Sequence, residues 1–180
     1  MTGARLLLVH IAAAALPGCG GGSAGVGPLA ANVTYQTIVG AAVNVGKPAS
    51  FGIPLYNRTS RALTLDRVVP LEPVGPIAVD GIGIATVEHG IVGASRPYPP
   101  RGLASPLRPV RGWRIPAHSR RYQVIVGLHM TQPGSAHITK IRVQYHDGHT
   151  HYTVDFPYSL EECTPYNGWP HGCPRIPLPT

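Results

Sequence analysis

The stretch ITKIRVQYHDGHTHYTVDF, residues 138–156, decides the fold because two alternating apolar runs flank an Asp-Gly pair. Asp-Gly between such runs is the strongest short-range signal for a β-hairpin. Asp147 and Gly148 are then the two central residues of a tight turn. We therefore predict a hairpin of two strands, 138–146 and 149–156.

The register of this hairpin sorts its side chains onto two faces. The predicted core face contains Ile141, Val143, Tyr145, Thr150, Tyr152, Val154 and Phe156. On the other face, His146 lies opposite His149, and His151 follows two residues later. Directly opposed Cβ atoms are about 4.5–5.5 Å apart, which allows imidazoles to share a Zn²⁺ or Cu²⁺ ion. His146, His149 and His151 are thus a candidate metal site; the alternative is an ordinary polar hairpin tip in a chain with nine histidines.

The rest of the chain repeats the pattern of short alternating runs. They cover residues 33–39, 51–55, 63–69, 77–87 and 122–130, and Asp80-Gly81 predicts a turn inside the fourth. The 22 glycines and 20 prolines among 180 residues nearly exclude long helices. About seven or eight short strands with turns at this spacing predict an antiparallel immunoglobulin-like β-sandwich, placed over residues 31–160. A small barrel is the alternative.

Residues 96–121 break this pattern, with seven arginines, six prolines and no acidic residue. We expect a long connection that runs over the surface as extended or polyproline-like chain. Its basic side chains favour an anionic partner, and the candidate contacts are Arg101, Arg108, Arg111, Trp113 and Arg114. The alternative is a solvated connection in which Trp113 covers the core.

The N-terminus has the features of a secretion signal. Arg5 precedes an apolar run from Leu6 to Leu16, which is too short to span a bilayer and has the length of a signal-peptide core. The run ends in Leu16-Pro17-Gly18-Cys19, which resembles the lipobox of bacterial lipoproteins. The resemblance implies removal of residues 1–18, lipidation of Cys19 and anchoring on the extracytoplasmic face of the cell membrane. Residues 19–30, rich in glycine, would form a flexible tether. The alternative is an ordinary secretory signal.

The other two cysteines, Cys163 and Cys173, are separated by nine residues in a tail placed at 161–180. Outside the cytoplasm such a pair predicts a disulfide; a redox pair is the alternative. The closed loop would contain Tyr166 and Trp169. These rings either form a preorganised recognition surface or pack on the sandwich edge.

The absence of catalytic sequence motifs favours a binding protein over an enzyme. The sequence contains no phosphate-binding glycine loop and no His-Glu-x-x-His motif. Glu161 and Glu162 are adjacent, and we expect them to be solvated at the start of the disulfide loop. Only Lys47 and Lys140 are lysines in a chain of net charge +7, a bias that resembles actinobacterial proteins. We expect a non-enzymatic module for an anionic envelope polymer or a protein partner. Nucleic acid does not fit this compartment.

Replacing the candidate lipidation site tests whether the protein is anchored to the membrane through Cys19. Cys19→Ala should block lipid attachment and leave uncleaved precursor or shed protein, because the thiol is the acceptor of the diacylglycerol in the resembled family. Detergent phase partition of the exported protein measures this. Wild-type protein recovered in the aqueous phase would contradict the lipobox interpretation.

Overall fold

The computed structural model describes residues 27–30, 37–87, 97–103 and 105–164, and within them the chain forms ten β-strands. In chain order they are β1 Leu29–Ala30, β2 Thr37–Ala42, β3 Ala49–Asn57, β4 Leu63–Val74, β5 Ile77–Thr86, β6 Arg114–Ile115, β7 Tyr122–Met130, β8 Ser135–His146, β9 His151–Phe156 and β10 Tyr158–Cys163. Among the described residues, no helix is long and apolar enough to cross a membrane.

The strands form two sheets that pack face to face as an immunoglobulin-like β-sandwich. Sheet one has the order β1-β3-β7-β5, and sheet two has the order β2-β10-β8-β4-β6, with β9 paired to β8. β9 and β10 follow each other along the same edge of β8, and β4 occupies its other edge. The predicted fold class is therefore confirmed, with one difference. β2 pairs with β10 in parallel, so sheet two is mixed.

The core lies between the two sheets and is formed by the apolar face that alternation predicts. Phe51, Ile53 and Leu55 of sheet one are fully buried, as are Val143 and Tyr145 of sheet two. Val154 and Phe156 are also buried, at 5% and 3% exposure. Each such side chain contributes about 1.5–3 kcal/mol when it leaves water, so this face fixes which way every strand presents its side chains.

Three predicted boundaries need correction. Asp80-Gly81 does not form a turn; β5 continues through it with a bulge between Val79 and Gly81. β1 lies within the predicted tether and pairs with β3. β10 extends to Cys163, so sheet two continues three residues into the range predicted as the tail. In each case cross-strand hydrogen bonds, which local sequence does not reveal, satisfy the backbone.

The outer face of sheet one has several glycines in its cross-strand rows. Gly81 pairs with Gly127, and Gly83 pairs with Ile125. Residues from the described part of the connection between β5 and β6 cover this face, with Tyr98 over Gly127 and Gly81 and Leu107 over Gly83. Within the described residues the connection runs over the surface, as predicted, and packs on the outer face of sheet one.

The turn after β3 contacts the chain that follows β6. Asn57 is 1% exposed, and its side-chain amide donates to the carbonyls of Arg61 at 2.7 Å and Pro116 at 2.9 Å. Its Oδ1 accepts from the backbone N–H of Thr59 at 3.0 Å. A buried amide satisfied in this way holds the β3–β4 turn against the chain that follows β6.

A side chain at Gly127 should displace Tyr98 from the outer face of sheet one. In Gly127→Ala the new Cβ would collide with the Tyr98 ring, so we expect a loss of about 1–3 kcal/mol in the free energy of unfolding, measured by urea denaturation. Gly40→Ala is the matched control, since its Cβ would meet Glu161 at an ordinary 3.7 Å. Adding Tyr98→Ala to Gly127→Ala should cost less than the sum of both single changes. Full additivity would contradict this packing.

Candidate functional site

The hairpin tip folds with a register two residues away from the predicted one. His146 pairs with His151 rather than with His149, and residues 147–150 form a four-residue loop. Asp147 closes this loop, because its Oδ1 accepts from the backbone N–H of Thr150 at 3.0 Å. Its backbone N–H donates to the Thr150 carbonyl at 3.2 Å. The two-residue turn is therefore wrong, and Thr150, predicted in the core, is exposed in the loop.

Cross-strand partners explain why the longer loop is preferred. The observed register places Arg142 opposite Asp155, with bidentate hydrogen bonds of 2.6 and 2.7 Å. These hydrogen bonds lower the pKa of Asp155. The same register stacks Tyr145 on Tyr152, with ring centroids 5.2 Å apart. Because the shift is an even number of residues, every strand residue keeps its predicted face.

Two of the three predicted histidines come together, and an aspartate takes the place of the third. The ligand atoms of Asp66, His146 and His151 all lie within 4.8 Å of one another. His146 Nδ1 is 2.9 Å from Asp66 Oδ1, and His151 Nδ1 is 3.5 Å from Asp66 Oδ2. His149 is exposed in the loop. Among the described residues, it does not join the group formed by Asp66, His146 and His151. We call these three side chains the Asp66 cluster.

A β-bulge positions Asp66. The β4–β8 register shifts between Leu65 and Arg67, so Asp66 is the extra residue in β4. Bulges change the direction of a side chain and are common beside functional sites. The contact of Asp66 with His146, a residue 80 positions away, could not be predicted from the local sequence pattern.

A groove of about 840 Å³ adjoins the Asp66 cluster. Its polar wall comprises Asp66, Arg67, Arg111, Gln144, His151 and Thr153. Val68, Ile82, Val110 and Tyr152 form the apolar part. The groove therefore places two cationic side chains and two members of the cluster around one cavity, a combination suited to a polar, charged ligand.

The predicted contact residues of the connection are at the surface, with one exception. Arg101, Arg108, Arg111 and Arg114 are all exposed. Trp113 is partly buried against the core and meets Tyr122 edge-on, with centroids 6.0 Å apart. Its indole Nε1 is buried without a hydrogen-bond partner among the described residues. Trp113 therefore covers the core, the alternative given above.

The remaining predicted sites fall partly or wholly outside the described residues. Cys19, Cys173, Tyr166 and Trp169 lie there, so lipidation, the disulfide and the aromatic loop stay predictions. Cys163 ends β10 and is 1% exposed.

Glu161 and Glu162 are not solvated as expected, because β10 is paired along both edges. Glu161 is 7% exposed, and Glu162, which pairs with Ala136 on the core face, is 0% exposed. Neither carboxylate oxygen of Glu162 has a hydrogen-bond partner among the residues described. Burial raises the pKa of Glu162 from 4.5 to about 7, and the charge of Asp80 adds to this.

Comparison with known proteins assigns no family. No protein-family model matches the chain, and no curated protein matches it. Among solved structures, the PapD-like domain 7 of human CEP192 is similar at 14% identity and a TM-score of 0.41, covering 77% of this chain and 87% of that domain.

Two bacterial enzymes are also similar in structure. A family 123 glycoside hydrolase from Clostridium perfringens shares 14% identity with a TM-score of 0.37, covering 72% of this chain and 23% of the enzyme. The secreted serine protease VesC from Vibrio cholerae shares 11% identity with a TM-score of 0.28, covering 67% of this chain and 21% of the protease. Similarities at this level transfer no function.

Glu162 should make the stability of the fold depend on pH. Its pKa is higher in the folded chain, so the protonated form is favoured by folding. The stabilisation is full below about pH 4.5 and is lost as the pH rises to about 7. Glu162→Gln removes this titration. We expect its free energy of unfolding relative to wild type to be up to about 3 kcal/mol higher at about pH 8 than at about pH 4.5. An equal difference at both pH values, measured by urea denaturation, would show that Glu162 does not titrate this way.

Proposed function

We propose that this chain is a lipid-anchored, extracytoplasmic binding module of the bacterial cell envelope, that it is not an enzyme, and that it binds an anionic envelope polymer. The Arg-rich connection carries this proposal, because it combines exposed positive charge with a fixed position on the sandwich. The lipobox-like Cys19 supports the location, since a lipid anchor at this residue would hold the domain near phosphorylated glycans and anionic lipid headgroups.

The positive charge of the connection is available to a partner. The chain carries 15 Lys and Arg against 8 Asp and Glu. The ion pairs among the described residues engage Arg61, Lys140 and Arg142 but not Arg108, Arg111 or Arg114. Exposed cations without acidic partners attract polyanions over a range of about 10 Å at ordinary ionic strength.

The backbone beneath these arginines is held in place. Arg108 forms an isolated bridge with Ile84, with N–H to carbonyl distances of 2.8 and 3.0 Å. Leu65 donates its N–H to the Trp113 carbonyl at 2.9 Å, and Gly112 donates to Leu65 at 2.8 Å. A pre-ordered surface loses less entropy on binding, which favours recognition by this segment.

Charge reversal tests the proposed function. The probe is a soluble poly(glycerol phosphate), titrated into the exported full-length protein. Each cation near an anionic surface contributes about 1 kcal/mol, so Arg108→Glu/Arg111→Glu should weaken binding at least about tenfold. Added salt should weaken wild-type binding in the same direction, because it screens exposed charge.

The control keeps net charge equal. Lys47→Glu/Arg58→Glu makes the same change at exposed sites outside the connection and should retain most of the affinity. Equal losses in both double variants would mean that net charge alone drives binding. No saturable binding by wild type would overturn the polymer proposal.

A further inference from the structure

We propose that Asp66, His146 and His151 form a zinc site with a fourth coordination position open to ligand. This goes beyond the proposed function, since polymer binding by the arginines does not require a metal. It also differs from the site predicted by sequence, because Asp66 replaces His149.

The spacing of the three side chains already approaches that of a bound ion. Zinc ligands at about 2.0–2.1 Å with tetrahedral angles lie about 3.3 Å from each other. The two distances from the imidazole Nδ1 atoms to the carboxylate of Asp66 are 2.9 and 3.5 Å. The His146 and His151 rings lie 5.2 Å apart, centroid to centroid. All three ligand atoms lie within 4.8 Å of one another, so binding one ion requires them to approach by about 1.5 Å at most.

The backbone supports the three ligands from three adjacent strands. His146 is on β8, with His151 directly opposite on β9 and Asp66 at the bulge of β4. Because β8 is paired on both edges, the positions of the three Cα atoms are set before any metal arrives. Preorganisation of this kind separates a site from a chance meeting of mobile side chains.

The donor set is one that zinc uses. Two imidazoles and one carboxylate form the type of three-ligand set that zinc uses when it keeps a water or ligand in the fourth position. Calcium and magnesium prefer oxygen-only surroundings. The exposed side-chain fractions are 37% for Asp66, 26% for His146 and 77% for His151, so an ion can enter from solution.

A second bulge supplies an internal comparison. Asp80 lies at the bulge of β5, and its Oδ1 is 2.8 Å from His129 Nδ1. This pair has the same geometry as Asp66 and His146, but no third ligand joins it among the described residues. An Asp–His pair alone is therefore an ordinary polar contact in this fold, and His151 distinguishes the Asp66 cluster.

The groove beside the cluster determines which ligand could occupy the fourth coordination position of the metal. Asp66 and His151 line it together with Arg67 and Arg111. The two guanidinium groups disfavour a bare cation but favour an anion on the metal, because the metal and the arginines then attract the same ligand.

Zinc titration of the metal-free full-length protein tests the site, with calorimetry and a competing chelator as readouts. Wild type should bind one Zn²⁺ ion. Even outer partners of metal ligands contribute about 10–100-fold to affinity, so Asp66→Asn and His151→Ala should each weaken binding by about a hundredfold or more. Co²⁺ in place of Zn²⁺ should give the absorption of a four-coordinate ion, which both variants lose. Circular dichroism verifies that each variant is folded.

Two control variants make the outcome decisive. His149→Ala removes the neighbouring imidazole outside the cluster, and His129→Ala removes the one at the second bulge; both should keep wild-type affinity. A large loss in His149→Ala with none in Asp66→Asn would restore the hairpin-tip triad and overturn the proposal. Equal affinity in all variants, or no saturable binding at micromolar Zn²⁺, would also overturn it.

Discussion

Strand β8 is hydrogen-bonded along both of its edges, with β4 on one side and with β9 and β10 on the other. Its inner face holds Val143 and Tyr145, both at 0% exposure, and the Tyr145 hydroxyl accepts from the Leu29 N–H at 3.1 Å. Burial raises the pKa of this hydroxyl to about 12. A slip by one residue would move the buried face to solvent. The core therefore fixes Arg142 and His146 on the outer face, and the chemistry of that face follows from it.

The two bulges show how a regular sheet acquires local chemistry. Each inserts one aspartate, and each aspartate meets a histidine on the neighbouring strand, at 2.9 Å for Asp66 and 2.8 Å for Asp80. The two sites differ in the strand that lies beyond the histidine-bearing strand. β8 has a further neighbour, β9, whose first residue is His151, so Asp66 meets two imidazoles. A cluster of three ligands thus depends on where a third strand begins.

Local sequence was sufficient for most of the central strands and their apolar faces, because alternation has a period of two and records which side is apolar. It was insufficient for pairing, since register depends on partners remote from the turn. Asp-Gly favours a two-residue turn, but the Arg142–Asp155 and Tyr145–Tyr152 pairs stabilise the four-residue loop instead. The inclusion of Asp66 and the burial of Glu162 likewise follow from β4 and β10 meeting β8, a contact that no short window of sequence contains.

The covering layer on sheet one connects packing with charge. Tyr98 and Leu107 occupy the space that Gly81, Gly83 and Gly127 leave open, so the connection has an apolar underside held to the sheet. Its arginines then remain exposed, because the underside is already filled. Glycine in a strand interior weakens that strand, whereas here the covering side chains pack against the sheet above the glycines. The result is a basic surface whose backbone is fixed, so that a partner would need to order only the arginine side chains.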